Sequence, residues 1–87
     1  MKNRAGEIEI EVTKNRELIN RMIAYKLTVA REQSKLTQKE LSEKTGIYQA
    51  DISKLERGIG NPSILTLKRL AEGMGMELNI EFVAKEE

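Results

Sequence analysis

The 87-residue sequence predicts a mainly α fold: four short helices with a short β-strand at each end. Three observations carry this reading. Apolar residues recur at helical spacing through the middle of the chain, and they alternate with polar residues at both ends. Turn-forming residues separate the successive helical stretches. The two periods, 3.6 and 2, are the marks of an amphipathic helix and of a half-buried strand. The chain divides accordingly into residues 1–12, an acidic strand-like segment, residues 13–75, a helical domain, and residues 76–87, a strand with an acidic tail.

The N-terminal strand is read from Ile8, Ile10 and Val12, which alternate with Glu7, Glu9 and Glu11. From Thr13, a candidate N-cap, the period changes. Ile19, Ile23, Leu27 and Ala30 fall on one helical face, and Ser34-Lys35 breaks this first helix after about Gln33. The second helix opens at Thr37. Glu40 three residues later completes a capping box, Leu41 is the core residue, and Gly46 supplies a turn able to take positive φ. Ile47 is expected to be buried in that turn. A third helix follows over about 49–57, closed by Gly58. Asn61-Pro62-Ser63 starts the fourth, capped by Ser63, with Leu67, Leu70, Ala71 and Met74 on its apolar face and Gly73 and Gly75 at its end. The last strand places Met76, Leu78, Ile80 and Phe82 on one side and polar residues on the other.

Composition narrows the function. There is no Cys and no His, so there is no disulfide, no thiol nucleophile, no imidazole ligand and no Ser-His-Asp triad. Carboxylate chemistry needs a pocket that so short a chain can hardly enclose. The expectation is a non-enzymatic binding module without metal or cofactor. No apolar run approaches the ~20 residues of a membrane span, and the N-terminus lacks the apolar stretch of a signal peptide, so a cytoplasmic location is expected. A core this small is thin, and dimerisation would reinforce it.

The net charge of +1 conceals a gradient. Residues 13–69 carry twelve basic against six acidic side chains, while 1–12 carry a net −1 and 70–87 a net −4. A basic middle between acidic ends suits a polyanionic partner, although solvated helix faces would look the same.

Two short helices joined by a Gly-containing turn form a helix-turn-helix, whose second helix enters the major groove of DNA. At ~100° per residue, Tyr48, Ile52, Leu55 and Glu56 share the inward face of the third helix. Gln49, Ala50, Ser53, Lys54 and Arg57 face outward, with no acid among them. Gln can bond adenine bidentately, a methyl can meet thymine, and Lys can meet guanine or phosphate. Glu56 on the inward face needs a partner, because an unpaired buried carboxylate is costly. Arg31, near the end of the first helix, is the candidate.

At this point the chain resembles the Cro/CI-type helix-turn-helix family, also called XRE, over about residues 18–75. Leu36-Thr37-Gln38 with Glu40-Leu41, Gly46-Ile47, then Gln49, Ile52, Ser53, Leu55, Glu56 and Gly58, and finally Asn61-Pro62-Ser63 with Thr66-Leu67 match its pattern without a gap. The resemblance implies a lambda-repressor-like four-helix domain that binds a double-stranded DNA operator as a homodimer. It implies base contacts from Gln49, Ala50, Ser53 and Lys54, and backbone contacts from Thr37, Gln38, Arg57 and Asn61. It also pairs the residues at Arg31 and Glu56.

Three positions depart from the family. Lys35 stands where Gly is usual, so its turn is expected to be strained or differently shaped. Tyr48 replaces a Ser/Thr cap and either packs or touches the DNA backbone. Asp51 replaces a frequent Ser/Thr; it either points away from DNA or accepts from a cytosine amine, and its place on the wheel favours the first. The C-terminal strand, with Leu78, Ile80 and Phe82, resembles the ends of HigA- and HipB-type antitoxins. That resemblance implies a dimer or partner contact there, autoregulation of an operon, and neutralisation of a RelE/HigB-like toxin. Two functions thus stand side by side, a DNA-binding repressor (antitoxin or stand-alone regulator) and a protein-interaction module that does not bind DNA.

Overall fold

The computed structural model describes residues 16–85, which hold four helices: α1, Arg16–Gln33; α2, Gln38–Thr45; α3, Gln49–Glu56; and α4, Ile64–Gly73. The expected strand over 7–12 and the Thr13 cap lie outside the described residues. α1 packs on α3, and α2 packs on both α3 and α4. Leu27, Leu41, Ile52, Leu55 and Leu70 meet at the centre, with Leu36, Ile47 and Met74 half-buried around them. Leu41 and Ile52 are fully enclosed, so each short helix of the α2–α3 pair is pinned by one large aliphatic side chain.

Local chemistry sets the boundaries. The Thr37 hydroxyl accepts from the Glu40 amide at 3.0 Å, and the Thr37 amide donates to the Glu40 carboxylate at 2.8 Å, a complete capping box at the start of α2. The Ser63 hydroxyl caps α4 by accepting from the Thr66 amide. α3 has no such cap: Tyr48 occupies the N-cap position without a side-chain bond.

Three helices end in one motif, in which the residue after the left-handed position bonds back across the last turn. Gly58 ends α3 this way, with Ile59 N donating to Lys54 O, and Gly75 ends α4, with Met76 N donating to Ala71 O. At the end of α1 the left-handed residue is Lys35, at φ 60°, with Leu36 N donating to Arg31 O. The turn therefore keeps its glycine-type shape while carrying a side chain.

One expectation gains a second role and one changes. Gly73 ends α4 as its last helical residue, as expected, and it also lets α4 approach α2 closely. A Cβ there would overlap the Thr45 methyl and come within 3.1 Å of Leu41 Cδ1. The strand expected over 76–83 forms no ladder, and residues 76–85 carry neither helix nor strand. Alternating apolar residues specify a face, but a strand exists only against a partner, and the described residues of one chain provide none.

Candidate nucleic-acid interface

The turn between α2 and α3 is built from side chains that bond to backbone. Gly46, at φ 77°, donates its amide to Ser42 O at 2.8 Å. The Ser42 hydroxyl donates to Ile47 O at 2.5 Å, the Thr45 hydroxyl donates to Leu41 O at 2.8 Å, and Ile47 N donates back to Thr45 Oγ1 at 3.2 Å. Ser42 and Thr45 were missed as positioning residues. Their only sequence signal is a hydroxyl within a turn of the group it bonds, five residues before it for Ser42 and four after it for Thr45, and hydroxyls are common on any solvated face.

With its entry fixed this way, α3 divides cleanly. Ile52 and Leu55 are buried, while Gln49, Ala50, Lys54 and Arg57 are exposed and Ser53 is half-buried beside them. Arg57 Nε donates to Ser53 O at 3.3 Å, which lays its guanidinium along the helix. Tyr48 departs from the wheel: it is 78% exposed instead of facing inward. The wheel assumes helical dihedrals, and Tyr48, at ψ 138°, lies one residue before they begin.

Behind this face Glu56 is held by a network that joins three helices. Arg31 Nε donates to Glu56 Oε2 at 2.6 Å and Arg31 Nη2 to Oε1 at 3.0 Å, a bidentate pair. The two side chains are only 14% and 6% exposed. The other arm of Arg31, Nη1, donates to Leu36 O at 2.8 Å, and Gln38 Nε2 donates to Glu56 Oε1 at 3.0 Å. Burial pushes the Glu56 carboxyl up, but the hydrogen bonds from Arg31, Gln38 and Thr28 and the Arg31 charge outweigh it and hold it below its ordinary value. The same carboxylate raises Arg31 further above its usual range, against the opposing effect of burial. This network fixes how far α3 projects from α1 and α2.

The remaining residues expected at the interface flank α3. Thr37 is exposed with its hydroxyl engaged in the cap, Gln38 is half-buried through its bond to Glu56, and Asn61 is exposed in the α3–α4 loop. That loop is tied to α1 by Asn20 Nδ2, which donates to Gly60 O at 2.9 Å. Leu78, Ile80 and Phe82 stand apart, on the tail; Phe82 is fully exposed. Among the described residues no cluster of acidic side chains is placed to hold a metal, and no helix is long and apolar enough to cross a membrane.

Residues 29–80 match the helix-turn-helix family HTH_3. The chain belongs to the Cro/CI-type helix-turn-helix family. Its relatives in this family include the uncharacterised HTH-type transcriptional regulator y4dJ of Sinorhizobium fredii, 32% identical over 65 residues, which are 75% of this chain and 83% of y4dJ. The regulator y4dL of the same organism is 38% identical over 56 residues, 64% of this chain. This chain spans only 29% of the length of y4dL. An uncharacterised HTH-type transcriptional regulator of Methanothermobacter thermautotrophicus is 40% identical over 53 residues. Among solved structures, an HTH_3 family transcriptional regulator from Vibrio cholerae superposes with a TM-score of 0.69 at 27% identity, covering 72% of this chain and 35% of that one. The Cro/CI-type assignment thus rests on sequence and on fold together.

Proposed function

We propose that the chain is a sequence-specific transcriptional repressor that binds a double-stranded DNA operator as a homodimer. The observation that supports this most is the division of α3. Its acid-free outer face presents Gln49, Ala50, Lys54 and Arg57 to solvent, with Ser53 half-buried beside them, while Ile52, Leu55 and Glu56 anchor the opposite face. Gln49 and Lys54 read bases, and Thr37, Gln38, Arg57 and Asn61 hold the backbone. The decisive experiment compares Gln49→Ala and Lys54→Ala with the parent chain. Both fold, because both residues are exposed, and each loses operator affinity by the ~1–3 kcal/mol of a good base contact. Unchanged operator binding by both variants overturns the site assignment. Footprinting should show two half-sites about one helical turn, ~34–36 Å, apart.

The tail offers the dimer contact, and its charges select a register. An antiparallel pair centred on Ile80 places Leu78 opposite Phe82 on the apolar face. On the other face Glu81 meets Asn79, and Glu77 meets Val83. A shift of one pair toward the N-terminus sets Glu77 against Glu81, and one toward the C-terminus sets Glu81 against its own copy. The chain has no cysteine, so Ile80→Cys should cross-link to itself under mild oxidation, while Asn79→Cys should not.

A second, finer reading is a HigA-like antitoxin that neutralises a RelE/HigB-like toxin and represses the operon they share. The exposed apolar tail and the net −4 of residues 70–87 favour it, since a basic protein could pair with the same strand. Co-expression with a small basic protein encoded beside this chain, followed by purification, decides between the antitoxin and a stand-alone regulator.

A further inference from the structure

An open cleft of about 410 Å³ lies between α3, the loop over 59–62 and α4. Leu55 and Ile59 line it, and its polar side chains include Tyr48, Asp51, Lys54, Asn61 and Arg69. Tyr48, Asp51, Asn61 and Arg69 are all exposed, and neither Arg69 nor Asp51 forms an ion pair among the described residues. The cleft therefore has an unneutralised guanidinium on its α4 side and an unneutralised carboxylate on its α3 side. The loop between them is held by the bond from Asn20 to Gly60.

The placement of the cleft matters. An α-helix with its side chains is ~10–12 Å across, and the major groove is ~12 Å wide. A helix that enters the groove fills it, and its flanks meet the phosphates on either border. The cleft opens on the α4 flank of α3, about 120° around the helix from the centre of the outer face.

We propose that this cleft seats one backbone phosphate, held by the Arg69 guanidinium with the Tyr48 hydroxyl and the Asn61 amide, and that Asp51 opposes that seat. The inference rests on the DNA-binding reading above and deepens it. Arg69 and Tyr48 hold DNA irrespective of its sequence. Asp51 repels the same phosphate, which keeps affinity for unrelated DNA low and leaves discrimination to Gln49 and Lys54. Asp51 is tolerated there because an acid in the first turn of an uncapped helix complements the helix dipole.

The test uses the full chain with two probes: a duplex enriched by the parent protein from a random-sequence pool, and an unrelated duplex of equal length. Dissociation constants are measured across 50–200 mM KCl. Arg69→Ala should weaken both duplexes by a similar factor, about five- to tenfold, and flatten the log–log salt slope by ~0.9, the loss of one phosphate contact. Asp51→Asn should strengthen both by a similar factor. Lys68→Ala, on the same helix but outside the cleft and paired with Glu72, should leave the slope unchanged. An unaltered slope in Arg69→Ala while the parent binds normally overturns the seat alone. Loss of affinity for the enriched duplex only in Asp51→Asn would make Asp51 a base reader and overturn its opposing role. A parent chain that binds neither duplex overturns the DNA-binding reading and the seat with it.

Discussion

Replacing Arg31 by Ala isolates the network behind α3. The substitution removes both hydrogen bonds of the bidentate pair and strands a carboxylate that is 6% exposed, leaving it only the neutral donors Gln38, at 3.0 Å, and Thr28. It also frees the carbonyl of Leu36. Breaking a buried pair by removing one partner costs ~3–5 kcal/mol, mostly as the penalty of the uncompensated charge. Retention of Gln38 and the 14% exposure of Arg31 place this case at the lower end, about 3 kcal/mol. With a urea m-value of ~1 kcal/mol/M for a small domain, the midpoint should fall by about 3 M.

The pH dependence sharpens the test. The folded-state pKa of Glu56 lies below its unfolded value, so its pairing stabilises the parent fold above the unfolded pKa of ~4.3. That contribution is lost as pH falls through the lower, folded pKa. In Arg31→Ala the depression is gone and burial raises the carboxyl, which sheds its cost by protonating. The gap between the two proteins is therefore widest near neutral pH and closes in acid. Urea titrations at pH 7 and pH 4 read it directly. A gap under 1 kcal/mol, or one that does not change between the two pH values, would refute the reasoning.

Other perturbations follow from single contacts. Lys35→Gly relieves a left-handed residue at φ 60° and should stabilise by ~1 kcal/mol, raising Tm by ~4–8 °C in calorimetry. Gly73→Ala, despite the better helix propensity of Ala, drives a methyl into Thr45 and Leu41, and should cost ~1–3 kcal/mol in the same experiment. Thr37→Ala removes the acceptor for the Glu40 amide and should cost ~1 kcal/mol, read as faster amide exchange in the first turn of α2.

What the sequence conveyed was whatever obeys a period or a local rule. The four helices follow from apolar spacing, and the capping box from Thr37 and Glu40 three residues apart. The partnership of Arg31 with Glu56 could be reached from an acid on an apolar face. Features that depend on which surfaces meet were harder to read. Gly73 reads as the end of α4, which it is, but its close approach to α2 does not show, because a glycine chosen for close approach and one chosen for positive φ are the same letter. Tyr48 was misplaced because a helical wheel has no meaning one residue outside the helix. The tail over 76–83 reads as a strand because alternation reports a face, whereas pairing requires an edge that the sequence does not name. Arg69 was invisible as a cleft residue, since α4 and α3 face each other across a loop whose geometry depends on Asn20 and Gly60.

The division of α3 has a consequence for how this domain can change. Ile52 and Leu55 pack the helix into the core, Glu56 ties it to Arg31 and Gln38, Ser42 and Thr45 fix the turn before it, and the side chains of Gln49, Ala50 and Lys54 take part in none of these interactions. The outer residues are therefore interchangeable parts on a fixed mount. On the DNA-binding reading proposed above, substitutions at these positions would alter the target one letter at a time without endangering the fold, and the interior could stand still while the target diverged.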